Sequence, residues 1–425
     1  MTTMELVRLL VILLLVALAT ALITGRTRVP YTIGLVLVGL VIAALRLLPS
    51  VHFTPELVLD VFVPALLFEG AWNFSVDELR RVWIPVALLV GPGLLLTLGV
   101  AALVLHLVAG LSWGAAILLG AILTPTDPVA VLALFRELGV GGRLRAIIEG
   151  ESLLNDGVAS VIYLVVLGLA ETVAQGHGLT GLGVTGAFAL GFAQLALGGV
   201  VLGLALGISM GWGLRWIDDP LVETTATLVA TYGVYLLAER LGFSGIVAVV
   251  VLGLTLGVWG RRIGMSRRTI EAVDGFWGQI AFIANAVLFL LIGAQINVRE
   301  FLGGPDTGAL LAVAGWAIVA VLGGRAVAVY GLRPVAGWLR VAREPRRASP
   351  VLLWAGLRGA LSLALVLALP LDFPERPLLV AGTYAVVLFT LLVQGLTLRV
   401  MLERLGLIGA AAPARPGPET DRSER

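Results

Sequence analysis

The sequence contains no cysteine and no lysine, and charged residues of every kind are scarce. The absence of cysteine excludes disulfides, thiolate metal sites and thiol nucleophiles. Only 13% of the 425 residues are charged, whereas a soluble domain carries about 25%. So little charge cannot cover the surface of a water-soluble globule of this size, and 59% of the residues are hydrophobic. We therefore predict an all-α, polytopic membrane protein whose exterior mostly faces lipid.

Long apolar stretches are the main feature that remains. A hydrocarbon core takes about 20 apolar residues as helix, and thirteen such stretches are separated by charged or Gly/Pro-rich gaps. These predicted transmembrane helices lie near 9–25, 32–48, 55–72, 83–108, 113–134, 146–170, 185–213, 222–238, 244–260, 272–296, 308–332, 350–369 and 378–398. After them, 405–425 combines several prolines with mixed charge, which predicts a disordered tail.

The arginines predict the orientation of the chain. With thirteen spans, 22 of the 29 arginines fall on one side of the membrane and five on the other. Because basic loops stay in the cytoplasm, we predict a plasma (inner) membrane protein with its N-terminus outside and its C-terminus inside. The first span could alternatively be a signal peptide, but its removal would require the arginines that follow it to be exported.

An odd number of spans permits an inverted repeat, in which helices one to six and eight to thirteen flank a linker helix. Helix five would then match helix twelve. In helix five, Pro125 and Pro128 flank Asp127, and each proline removes a backbone donor. Helix twelve carries Arg358 in the glycine-flanked segment 356–359. We predict that both helices are broken and cross at the membrane centre, where free backbone groups bind something; a plain proline kink is the alternative.

The sixth predicted helix carries a row of oxygen-bearing side chains. A spacing of four places Ser152 over Asp156, and Glu151 over Asn155, on adjacent stripes of one helix face. Such an all-oxygen lining is the ligand chemistry of hard cations such as Na⁺. The three histidines fall at helix ends or in loops, so a transition-metal site is not supported.

Buried acids outnumber buried bases. Arg325 and Arg358 are the cations available inside the predicted spans, and either could pair with Glu151. At least two of the buried carboxylates, which also include Asp156 and Glu69, therefore lack a fixed counter-ion. Such a group is compensated by a visiting cation or neutralised by a proton, and exchanging one for the other is the elementary event of antiport.

These motifs resemble those of the cation:proton antiporter family, and specifically its NhaP-like and NHE-like sodium/proton exchanger branch. The matching strings are Pro-Ala-Leu-Leu-Phe-Glu-Gly at 64–70, Thr-Asp-Pro at 126–128, Glu-Ser-Leu-Leu-Asn-Asp at 151–156, Gly-Gly-Arg at 323–325 and Gly-Leu-Arg-Gly-Ala-Leu at 356–361. The resemblance implies a homodimer in which a core transport domain moves against a dimerisation domain. The dimerisation domain would comprise 1–80 and, with the linker helix, 173–305; the core would comprise 81–172 and 306–404, followed by a cytoplasmic tail at 405–425.

The resemblance also implies roles for individual residues. Asp156 would bind the cation or the proton in turn, with Na⁺ also held by Ser152, Asp127 and Thr126. Glu69 would approach from the dimerisation side through water.

Further roles concern charge balance. Glu151 and Arg325 would form a structural salt bridge in the core, and Arg358 would lie beside the helix crossing. Asn155, in place of a second aspartate, implies electroneutral one-for-one exchange.

The predicted function is thus electroneutral Na⁺(Li⁺)/H⁺ antiport, without enzymatic activity, cofactor or nucleic-acid partner. Potassium exchange is the main alternative, since oxygen-lined sites for the two ions differ in size rather than in residue type. A cation channel would need acids or carbonyls repeated by symmetry. An intramembrane aspartyl protease would need a second freely placed acid, whereas Asp127 is wedged between prolines.

Overall fold

The computed structural model describes residues 3–27, 30–45, 57–174, 181–263, 265–294, 307–338 and 347–408. Every regular element within these ranges is a helix. The all-α prediction is therefore confirmed. The predicted spans extend outside the described residues at 46–48, 55–56 and 295–296, as does the predicted tail at 409–425.

The described helices are numbered in chain order. The first part of the chain forms α1 (Thr3–Thr24), α2 (Tyr31–Leu45), α3 (Val63–Asn73), α4 (Val76–Leu88), α5 (Leu94–Leu107), α6 (Trp113–Ile122), α7 (Val129–Glu137), α8 (Arg143–Ala174) and α9 (Gly181–Leu214). The second part forms α10 (Pro220–Arg240), α11 (Gly245–Thr255), α12 (Arg261–Ile263), α13 (Arg267–Ala294), α14 (Thr307–Gly331), α15 (Arg333–Trp338), α16 (Ala348–Trp354), α17 (Ala360–Leu367), α18 (Arg376–Phe389) and α19 (Gly395–Leu405). Short π-helical segments precede α3 (Leu57–Phe62) and join α4 to α5 (Leu89–Gly93), α11 to α12 (Leu256–Gly260) and α18 to α19 (Thr390–Gln394).

Seven helical segments among the described residues are long and apolar enough to cross a membrane, such as Arg143–Ala170 and Gly183–Leu214. Shorter apolar helices lie at Leu10–Thr24, Tyr31–Leu45, Trp113–Ile122 and Gly245–Gly260. Each of the thirteen predicted spans overlaps a described helix. The number of membrane crossings stays a prediction, because the short helices do not each reach spanning length.

Two of the predicted spans are interrupted. The chain leaves α6 at Ile122 and re-enters a helix at Val129, and it leaves α16 at Trp354 and re-enters a helix at Ala360. Proline accounts for the first interruption, since Pro125 and Pro128 cannot donate to a preceding turn. The two interruptions lie side by side.

Buried apolar side chains form two large clusters that surround the interruptions. One includes Phe68 of α3, Leu118 of α6 and Val249 of α11. The other includes Phe135 of α7 and Phe289 of α13. The helices between them are held by dense packing, which gives the polar groups at the interruptions a rigid frame.

Glycine permits a close helix contact beside the site. Gly324 of α14 faces the backbone of α5, and a Cβ atom at this position would lie 2.6 Å from the Thr97 carbonyl oxygen. No larger residue could occupy that space without moving one helix. The contact sets the position of the next residue, Arg325.

Candidate ion-binding site

The first part of the site joins α8 to the interruption between α6 and α7. Asp156 accepts a hydrogen bond from the backbone N–H of Thr126 at 3.2 Å, and the hydroxyls of Thr126 and Ser152 lie 3.0 Å apart. Ser152 and Asp156 stand one turn apart on α8, as their spacing of four predicts. Thr126 and Ser152 are buried, whereas Asp156 is half-buried. One carboxylate and two hydroxyls therefore converge where the chain is not helical.

Asn155 ties the interruption to α8. Its side-chain amide donates to the Thr124 carbonyl at 2.8 Å and to the Thr126 hydroxyl at 3.3 Å. The Thr124 carbonyl is free to accept because Pro128, four residues later, has no N–H. The Asn155 Oδ1 atom is buried without a protein hydrogen-bond partner among the described residues. That oxygen is available to a water molecule or a cation.

Asp127 has a different role from Asp156. Its Oδ1 accepts from the backbone N–H of Val129, the first residue of α7, at 2.9 Å, while its own N–H donates to the Leu357 carbonyl at 2.8 Å. Its other oxygen lies so close to Gly359 that a Cβ atom there would overlap it. Asp127 and Asp156 are near enough to interact electrostatically. Asp127 thus links the two interruptions and adds negative charge beside Asp156.

Arg358 lies in the other interruption and is 1% exposed. Its guanidinium donates to the carbonyl oxygens of Thr124 at 2.6 Å and of Pro125 at 2.9 Å, and its backbone N–H donates to the Thr390 hydroxyl at 3.0 Å. The end of α6 presents these carbonyls with the negative end of a half-helix dipole. Arg358 therefore compensates backbone carbonyls rather than forming an ion pair with a carboxylate.

Glu151 and Arg325 form a buried, two-pronged ion pair. Arg325 Nη1 contacts Glu151 Oε1, and Arg325 Nη2 donates to Glu151 Oε2 at 2.9 Å. The guanidinium also donates to the Leu352 carbonyl at the end of α16. Residue types alone left either arginine as a partner for Glu151, and the geometry selects Arg325 because α5 packs tightly against α14.

Glu69 is not part of this cluster. It lies half-buried on α3, where it accepts a hydrogen bond from the Asn73 side chain at 2.9 Å. Its electrostatic neighbours are Arg136, Glu149 and Asp274. Among the described residues, no hydrogen bond connects Glu69 to Asp156.

Sequence reasoning missed three contributors to the site. The backbone carbonyls of Thr124 and Leu357 act as acceptors, and Thr390 caps the Arg358 backbone. Every residue has a backbone carbonyl, so residue type does not show which carbonyls act as acceptors. Thr390 did carry a signal, because it and Gln394 are isolated polar residues one turn apart in an apolar run and both are buried.

The atoms that could coordinate an ion are all oxygens, and they suit a monovalent cation. Asp156 supplies one carboxylate, and Ser152, Thr126 and Asn155 supply neutral oxygens. Within the described ranges, no group of three or more His, Cys, Asp or Glu residues could hold a metal ion. In the part of the chain that the structure describes, the arginine that acts electrostatically on Asp156 is Arg358, and its guanidinium is engaged by carbonyl oxygens, so the carboxylate can take a cation or a proton.

Comparison with known proteins gives consistent matches over most of the chain. The model of the family described as "Sodium/hydrogen exchanger, transmembrane" matches residues 10–404. The Na⁺/H⁺ antiporter ApNhaP of Aphanothece halophytica is 41% identical over 397 residues, which cover 91% of this chain and 72% of that protein. The Na⁺/H⁺ antiporter NhaH of Halobacillus dabanensis is 33% identical over 413 residues, covering 93% and 98%.

A solved structure shares the fold. The sodium proton antiporter MjNhaP1 from Methanocaldococcus jannaschii at pH 8 superposes with a TM-score of 0.72 and 23% sequence identity. The match covers 94% of this chain and 99% of that one.

Proposed function

This chain belongs to the sodium/hydrogen exchanger family, a family of transporters rather than enzymes, and on that premise we propose that it exchanges Na⁺ or Li⁺ for H⁺ by alternating access. The observation that carries the proposal is the Asp156 carboxylate. It accepts a hydrogen bond from the Thr126 backbone N–H close to the paired hydroxyls of Thr126 and Ser152, and the neighbouring arginine, Arg358, is occupied by carbonyl oxygens. A carboxylate in that setting is compensated by whichever of the two ions occupies it.

In the proposed cycle, Na⁺ binds Asp156 with help from Ser152, Thr126 and Asp127, and a proton displaces it on the opposite side of the membrane. Asn155 is neutral, so a single titratable carboxylate carries either one cation or one proton. Each half-cycle then moves the same net charge, which makes the exchange electroneutral.

The moving unit is the core transport domain formed by 81–172 and 306–404. Three contacts that join these two stretches support this division: Glu151 to Arg325, Arg358 to Thr124, and Asp127 to Leu357. Glu69 belongs to the other unit, formed by 1–80 and 173–305. Its electrostatic contact with Arg136 and Glu149 reaches across to the core domain.

We assign the protein to the plasma membrane as a homodimer, with its N-terminus outside. The span Gly183–Leu214 supports a membrane-embedded interface, since only 11% of an apolar stretch of 18 residues within it is buried inside one subunit. Its exposed apolar side chains suit lipid or the second subunit. The excess of arginine in alternate loops supports the orientation.

Purified protein reconstituted in lipid vesicles provides the test. An imposed gradient of Na⁺, Li⁺ or K⁺ should drive proton movement, read with a pH-sensitive dye, with Na⁺ and Li⁺ more effective than K⁺. A voltage set by potassium and valinomycin should leave the sodium-driven rate almost unchanged. Preference for K⁺ would establish the potassium alternative, and a rate that follows the voltage would refute one-for-one exchange.

A further inference from the structure

A second polar network lies at the ends of α3 and α12 and the start of α13. Arg261 donates to Asp274 at 2.7 Å, and the indole N–H of Trp72 donates to the same carboxylate oxygen at 2.6 Å. The guanidinium stacks over the Trp72 ring, 4.5 Å from its centroid. Both contacts hold the Arg261 guanidinium in one place.

This fixed guanidinium determines how Asn73 is oriented. Arg261 Nη2 donates to Asn73 Oδ1 at 3.3 Å, and Asn73 Nδ2 donates to Glu69 Oε1 at 2.9 Å. A guanidinium has donors only, so the Asn73 carbonyl must face Arg261 and its amide N–H must face Glu69. The Asn73 side chain is exposed and could otherwise rotate.

We propose that Arg261 is a positioning residue that acts through Asn73 to keep Glu69 a negatively charged acceptor of cations on the path to Asp156. The inference rests on the proposed function. A donor aimed at a carboxylate favours its charged form. Among the residues that the structure describes, the charged groups that act electrostatically on Glu69 are Arg136 on α7, Glu149 on α8 and Asp274 on α13, so Glu69 lies at the boundary between the two proposed domains.

The sign of the effect separates this role from a simple influence of charge. If Arg261 acted only through its field, its removal would make the region more negative and lower the KM for Na⁺. If it holds Asn73 in place, its removal leaves the exposed Asn73 side chain free to rotate away, and the Glu69 carboxylate then loses the N–H donor that favours its charged form, which raises the KM. The two mechanisms therefore predict opposite shifts.

Sodium-driven exchange in membrane vesicles, with the α12 face of the protein outward, tests the proposal. Arg261→Gln should raise the KM for Na⁺ about tenfold with kcat retained, as expected for one lost hydrogen bond to a charged group. Arg261→Lys, which keeps a donor and the charge, should stay close to wild type. Arg262→Gln removes the same charge from the next residue, whose pair with Asp77 is 3.6 Å long and exposed, and should leave the KM unchanged.

A double-variant cycle shows whether the effect passes through Glu69. In a Glu69→Gln background, Arg261→Gln should cause no further rise in KM. Asn73→Ala removes the donor directly and should reproduce the Arg261→Gln shift, which keeps the test decisive if Arg261→Gln fails to fold. The positioning role would be overturned if Arg261→Gln and Asn73→Ala left the KM for Na⁺ unchanged or lowered it. It would also be overturned if Arg261→Gln raised the KM as much in the Glu69→Gln background as in the wild type. Loss of transport in the wild type would instead overturn the proposed function.

Discussion

Two carboxylates on α8 have opposite surroundings. Glu151 is 2% exposed and fully engaged by Arg325, whereas Asp156 is half-buried and receives hydrogen bonds only from neutral donors among the described residues. A permanently paired acid has no reason to bind a mobile ion, because its charge is already compensated. A carboxylate without a cationic side chain as its partner can still bind a mobile cation or a proton. The difference supports our proposal that Glu151 stabilises the fold and Asp156 carries the exchange.

The largest effect is expected at Asp156, the carboxylate proposed to carry the exchange. Asp156→Asn should abolish sodium-driven proton movement in vesicles while the protein still folds, since the amide can neither release a proton nor compensate a cation. Asp372→Asn, at an exposed aspartate in the turn before α18, is the matched control and should retain exchange. Transport that persists in Asp156→Asn would place the exchanging acid elsewhere.

The next effect concerns stability at the paired acid. Glu151→Gln should lower the free energy of unfolding by about 3–5 kcal/mol, because Arg325 is left buried without a partner. Adding Arg325→Gln should recover part of the loss, measured as thermal unfolding in detergent.

A control on the same helix checks that burial is responsible. Glu149 pairs with Arg145 at 3.4 Å and keeps 18% of its side chain exposed, against 3% for Glu151, so Glu149→Gln should cost less stability than Glu151→Gln. If the double variant is no more stable than the sum of the single variants, Glu151 and Arg325 do not stabilise each other.

A smaller effect is expected where the interruptions meet. Gly359→Ala places a Cβ atom against Asp127, 2.7 Å from the Asp127 Cβ atom, and should destabilise the protein by about 1–3 kcal/mol and slow exchange. Gly323→Ala is the control, because nothing lies within 4 Å of a Cβ atom there. Equal behaviour of the two variants in thermal unfolding and transport would show that the Asp127–Gly359 contact is unimportant.

The smallest effect is a shift in the pH profile. In the proposed cycle a proton occupies Asp156 at low pH and lowers the exchange rate, so Na⁺ has to displace that proton before transport proceeds. Tenfold more Na⁺ should move the acidic limb of the activity profile about one pH unit lower, as mass action requires for one cation competing with one proton. An acidic limb that does not move with sodium would mean that the two ions do not share a site.

Local sequence features account for part of this site. The two prolines around Asp127 predicted the interruption in the fifth span, and the spacing of Ser152 and Asp156 predicted that they face the same way. Residue types could not identify the partner of Glu151, because Arg325 and Arg358 are equally basic and both fall within predicted apolar spans. Residue types also could not predict the network of Arg261, Asn73 and Glu69, since it joins residues from distant parts of the chain.

Composition and periodicity alone determined that this protein is all-helical and embedded in lipid, since so few charges cannot cover a water-soluble surface. They also predicted the break in the fifth span, because Pro125 and Pro128 lack the backbone N–H that a continuous helix needs. Only the tertiary structure decided how charge is balanced. The close approach of α14 to α5 places Arg325 next to Glu151. The two adjacent interruptions place Arg358 within hydrogen-bond distance of backbone carbonyl oxygens such as that of Thr124. Electrostatic pairing depends on distances of a few ångströms, which are set by helix packing rather than by order along the chain.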